Sequence, residues 1–128
     1  MFVLLIAIIA LVLSYAINKV MLKLLRENAV IFGAPVFEEL LKTIPAYFTN
    51  RSVFHVHLIF GVGEALYDFF SSHKESGKWA ALISVISHSM FGAITYWILL
   101  KTNIWFAVVS AMLVHCAWNF TIMRIGRT

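Results

Sequence analysis

Apolar residues run along this chain in long blocks, from Phe2 to Leu25, Ala29 to Phe48, Val53 to Ser71, Trp79 to Leu100, and Ile104 to Met123. Each block is about 20 residues long, which as a helix crosses roughly 30 Å of hydrocarbon. Polar punctuation separates them: Arg26-Glu27-Asn28, Thr49-Asn50-Arg51-Ser52, the run Ser72 to Lys78, and the tight Lys101-Thr102-Asn103 turn. The period inside each block is weak, as expected where lipid covers most helix faces. The pattern predicts an all-α, polytopic transmembrane bundle of about five spans.

A second set of polar residues lies inside the blocks. Glu38 and Glu39, Glu64, His88, and His115 with Asn119 each interrupt a different apolar run. An acidic side chain in hydrocarbon costs about 2.5–3.5 kcal/mol or more, so these groups are expected to face one another or a water-filled cavity.

Composition agrees, with 62% hydrophobic and 12% charged residues over 128 positions and a mean hydropathy of +0.90. A soluble domain of this size cannot hide so much apolar surface. One domain is expected, an anchor helix over 1–28 followed by a four-helix core over 29–123. Met1-Phe2 offers no basic leader region, so the first segment reads as a retained anchor. The lone Cys116 excludes a disulfide within the chain.

Charge gives an orientation. Lys19, Lys23 and Arg26, then Lys74 and Lys78, then Arg124 and Arg127 fall on one side of an odd number of spans, against Arg51 and Lys101 on the other. The positive-inside rule puts the N-terminus outside and the C-terminus in the cytoplasm. The net charge of +4 is absorbed by this anchoring at the lipid surface, so nucleic-acid binding is not expected. Counted from the cytoplasmic ends, Glu38, Glu64, His88 and His115 all lie about eight or nine residues deep, roughly 12–14 Å into the bilayer.

Spacing says which of them cooperate. His115 with Asn119, Glu38 with Lys42, and Glu64 with Asp68 are each four apart and share a face. Glu38 and Glu39 diverge by about 100°, so one is expected to act and the other to support. A carboxylate beside a histidine in an apolar cavity suits activation of a water that attacks a carbonyl. His115 and Asn119 then suit stabilisation of the oxyanion. Glu64 and Lys42 are supporting residues. The bland alternatives are a structural Glu38–Lys42 ion pair, hydrogen-bonded structural histidines, and Asn119 as helix–helix glue.

The run Glu38-Glu39-Leu40-Leu41-Lys42 resembles the EExxK motif of PrsW-type intramembrane proteases. Phe60-Gly61-Val62-Gly63-Glu64 resembles their FxxxE element, His88-Ser89-Met90-Phe91-Gly92 their HxxFG, and His115-Cys116-Ala117-Trp118-Asn119 their HxxxN. The four occur in the family's order across Phe32 to Phe120. The pattern is also similar to the wider CPBP group of CAAX prenyl proteases and bacteriocin self-immunity proteins. Lys42 at the fourth position after Glu38, where the CAAX type carries arginine at the fifth, favours the PrsW side. The resemblance implies an intramembrane endopeptidase in the cytoplasmic membrane of a prokaryote. Glu38 with His88 would activate water, and His115 with Asn119 would form the oxyanion site. Its substrate would be a single-span, tail-anchored or lipidated peptide.

No cofactor is favoured, although PrsW-type enzymes have been classed as metalloproteases. The zinc alternative takes Glu38, His88 and His115 as its ligands. Two other function classes stay open, a proton-coupled transporter or channel module and a catalytically inactive immunity or binding protein of CPBP type. A homo-oligomer is also open.

His55 and His57 are expected at the outer interface and His73 in a loop. Trp79, Trp97 and Trp105 suit aromatic belts, whereas Trp118 lies beside the motif. Pro35 and Pro45 are expected to kink the second span, and Gly61, Gly63 and Gly92 to allow close helix approach.

Overall fold

In a computed structural model the described residues form five α-helices: α1 (Phe2–Leu25), α2 (Ala34–Phe48), α3 (Val53–Ser71), α4 (Lys74–Leu99) and α5 (Ile104–Ile125), with a π-helical turn at Ala29–Gly33 leading into α2. The structure describes residues 1–72 and 74–126, without the side chain of Lys74. The loop position read for His73 and the anchoring read for Lys74 and Arg127 lie outside the described residues.

Among the described residues four helices, α1, α3, α4 and α5, are long and apolar enough to cross a membrane. The 15-residue α2 is not among them, because it is short and carries Glu38, Glu39 and Lys42. Instead it is wrapped by the others, touching α1, α3 and α5. The bundle buries charged and polar groups beside small apolar ones and exposes large apolar side chains. Lys42, Glu39 and His57 rank with Phe60 and Phe91 among the largest fully buried side chains, while Leu4, Ile8, Val12, Phe70, Leu113 and many like them are exposed. That inversion is what a lipid solvent selects.

Local chemistry sets the helix ends. Asn103 Oδ1 caps α5 by accepting from the backbone N–H of Trp105 and Phe106 at 3.0 and 3.1 Å. After α2, Asn50 takes a left-handed φ of 54°. The Asn50 and Arg51 amides return to the carbonyls of Tyr47 and Ala46 at 3.0 and 2.7 Å, a Schellman ending that reverses the chain into α3. The sequence placed the start of the fourth span at Trp79, yet α4 begins at Lys74. Glu75 in its first turn complements the helix dipole and pairs with Lys78 at 2.8 Å, so a polar stretch prolongs the helix.

Two glycines set the α3–α4 distance. A methyl group on Gly61 would meet His88 Cβ at 2.7 Å, and one on Gly92 would meet His57 Cβ at 2.7 Å. His57 and Gly61 are four apart on α3, and His88 and Gly92 four apart on α4. The antiparallel pair therefore clasps reciprocally, each histidine seated on the other helix's glycine.

Pro35 sits in the first turn of α2, where its missing N–H is tolerated. Just before it the ladder is in π register, with the Ala34 N–H bonded to Ala29 O. In that register the Val30 carbonyl would next be met by the nitrogen of residue 35, which in proline has no hydrogen. Asn119 on α5 supplies the missing donor, its Nδ2 reaching Val30 O at 2.9 Å.

Candidate functional site

The site is built around Glu39. Its carboxylate is fully buried and meets three nitrogens: Lys42 Nζ at 2.6 Å and His115 Nδ1 at 2.9 Å on Oε1, and His57 Nε2 at 2.9 Å on Oε2. α2 brings Glu39 and Lys42 one turn apart, α3 brings His57, and α5 brings His115. Such a buried charge persists only when its lone pairs are met in this way.

His57 is placed differently from the sequence expectation. It is fully buried, with Nδ1 at 2.9 Å from its own helix's Val53 carbonyl and Nε2 on Glu39, whereas its neighbour His55 is exposed and bonded to Ser52. The reason is the glycine seat at Gly92, which pulls this part of α3 against α4. A signal was present, since His57, Gly61 and Glu64 fall at i, i+4 and i+7 and so share a face with a motif residue.

Lys42 lies beside Glu39 rather than Glu38. Its ammonium also lies 3.1 Å from His88 Nδ1 and 4.6 Å from the centre of the Phe60 ring. His88 directs Nε2 to Glu64 Oε2 at 2.5 Å, and Glu64 also accepts from Ser84 at 3.3 Å. Phe91 stacks on the His115 ring with centroids 4.5 Å apart, and Phe60 lies 5.1 Å from His88. The two phenylalanines of the motif runs are thus braces for the two histidines.

Glu38 is buried on the other side of His115, with Oε2 3.9 Å from His115 Nε2. The 100° divergence of Glu38 and Glu39 is accommodated because one imidazole presents its two nitrogens to the two carboxylates. A further partner comes from the segment read only as an anchor: Asn18 of α1 donates to Glu38 Oε1 at 3.0 Å. Asn18 and the buried Ser14 are four apart and share one face of α1, which is the pattern that points to it.

Glu38, Glu64, His88, His115 and Asn119 line a cavity of about 710 Å³. It continues past Asp68, Ser76, Trp79 and Gly126, with the basic residues Lys78 and Arg124 close in sequence to the last two of these. One wall carries Glu64 and Ser84, and the other carries Trp118, Ile122 and Met123. One of the two Asn119 Nδ2 hydrogens goes to the Val30 carbonyl, holding α5 to the π turn at the cavity's edge.

Glu38, His88 and His115 each offer a ligand atom within 4.8 Å of the others. A zinc-bound histidine almost always has its second nitrogen protonated and donating to an acceptor. His115 meets that condition through Glu39, whereas His88 Nδ1 faces the Lys42 ammonium, itself a donor. With Lys42 on Nδ1 and Glu64 on Nε2, both His88 nitrogens already have partners, so a metal at this group would have to displace one of them.

No protein-family model, no curated protein and no solved structure matches the chain.

Proposed function

We propose that this protein is an integral-membrane endopeptidase that adds water across a peptide bond at the Glu38–His88–His115 corner of the cavity. The observation that carries the reading is that a carboxylate and two histidines face one another, nearly solvent-free, across a cavity large enough for a peptide segment. Groups of this kind in an apolar bundle are expensive unless used. The order of the four motif runs, similar to PrsW-type proteases within the CPBP group, supports the same class.

In the proposed reaction the water oxygen bonds to the carbonyl carbon and the carbonyl π pair moves onto its oxygen. The water proton is taken up at the Glu38–histidine corner. As the C–N bond breaks, that proton passes to the departing amine nitrogen. An N–H donor held at the cavity wall stabilises the oxyanion, where the low dielectric strengthens the bond.

The chain would cross the membrane five times, with α2 as an internal crossing shielded by the other helices and the C-terminus cytoplasmic. Lys78 and Arg124, close in sequence to the cavity-lining Trp79 and Gly126, support this orientation. The substrate would then be a single-span, tail-anchored or lipidated peptide cut in or near the cytoplasmic half of the bilayer.

The test is cleavage of a labelled single-span peptide library by purified protein in lipid, comparing the parent with Glu38→Gln and His88→Ala, with and without a chelator. Cleavage by the parent, lost in both variants and indifferent to chelator, is the expected result. A folded parent that cuts nothing in a broad library would sink the reading and make proton flux the next measurement.

A further inference from the structure

The contacts in the buried network assign its protons, because several of them end on groups that can only donate or only accept. Lys42, paired with Glu39 at 2.6 Å, is an ammonium and donates. Its contact with His88 Nδ1 at 3.1 Å therefore requires a lone pair on that nitrogen. The neutral His88 ring then carries its hydrogen on Nε2, which points at Glu64.

The Val53 carbonyl only accepts, so His57 Nδ1 donates to it, and one proton bridges His57 Nε2 and Glu39 Oε2. The other oxygen of Glu39 is left to accept from both Lys42 and His115 Nδ1. The neutral His115 ring consequently has its hydrogen on Nδ1 and a lone pair on Nε2, 3.9 Å from Glu38 Oε2. A single water oxygen can stand within hydrogen-bond reach of both atoms.

Resting on the hydrolase reading above, we propose that the two histidines have opposite proton roles. His115 Nε2 takes the proton of the attacking water, and His88 Nε2–H donates to the carbonyl oxygen. Lys42 and His57 are positioning residues that set these tautomers, Lys42 directly on His88 and His57 through Glu39. This allocation reverses the one implied by the motif resemblance, which puts His88 on the water side.

The proton balance closes. The imidazolium formed on His115 is stabilised by the buried Glu39 carboxylate at its Nδ1–H, and it returns the proton to the amine nitrogen when the C–N bond breaks. Glu64 can give up the His88 N–H to substrate. Its side chain is 32% exposed to the cavity, and its hydrogen bond besides His88 is the 3.3 Å one from Ser84.

The test is the ring ¹⁵N NMR spectrum of the full-length, histidine-labelled protein in lipid nanodiscs, assigned by the signals lost in His88→Gln and His115→Gln. The expected spectrum has protonated Nε2 and bare Nδ1 for His88, and the reverse for His115. Lys42→Met should release His88 into a tautomer mixture while His115 keeps its pattern. The same tautomer on both rings, or the reversed pair, would overturn the proposal, and the parent spectrum alone decides this if the lysine variant does not fold. Expected tautomers in a protein that cuts no peptide would leave the proton assignment standing and remove its catalytic use.

Discussion

Gly61→Ala tests whether the α3–α4 clasp sets the geometry of the site. The added methyl would lie 2.7 Å from His88 Cβ and 3.2 Å from the Ser84 carbonyl oxygen. Ordinary carbon–carbon contact is about 3.5–4.0 Å, so about 1 Å must be found. Neither obstacle is a side-chain tip that can rotate away, so the helices themselves must part. The Lys42–His88 contact of 3.1 Å would open toward about 4 Å, beyond hydrogen bonding. Overpacking of this kind costs about 1–3 kcal/mol, and a 1 Å misplacement of reacting groups costs about 10²-fold in rate. Gly63→Ala is the control. Its methyl would come closer still to a neighbour, but that neighbour is the end of the half-buried Leu11 side chain, which can turn aside. Reversible unfolding in detergent and cleavage in lipid should both rank Gly61→Ala well below Gly63→Ala. Equal stability and equal activity for the two variants would refute the argument.

Three further outcomes are expected. Lys42→Met leaves Glu39 buried without its ammonium and should destabilise by about 3–5 kcal/mol, and adding Glu39→Gln should recover part of that loss in the same unfolding assay. Asn119→Ala orphans the Val30 carbonyl and should cost about 1–3 kcal/mol. In a Pro35→Ala background the new backbone N–H can reach Val30, so a double-mutant cycle should show a smaller cost there. Asn18→Leu removes the donor to Glu38 from α1 and should lower cleavage while leaving the helix content seen by circular dichroism unchanged.

Much of the helical architecture was legible in the order of residues, because apolar blocks of membrane length have few other solutions. The helix ends at Leu25, Phe48 and Ser71 follow from polar punctuation, and the all-helical class follows from the blocks alone. The depth count brought Glu38, Glu64, His88 and His115 to one level because helices of fixed rise convert residue number into height. Height along an axis does not fix direction around it or which helix stands next to which. Spacing left open which of Glu38 and Glu39 acts and which supports, and Glu39 became the hub, since α2 is surrounded and both of its carboxylates find partners on His115. His57 read as interfacial because the residue count put it near a helix end, while the Gly92 seat draws it inward. Asn119 went to a carbonyl freed jointly by a π turn and a proline, a vacancy that exists only once α5 lies against that turn. Asn18 came from a helix with no motif at all. Local sequence thus determined the elements and the level of the chemistry, whereas the pairing of donors with acceptors was decided by helix packing, which no single helix encodes.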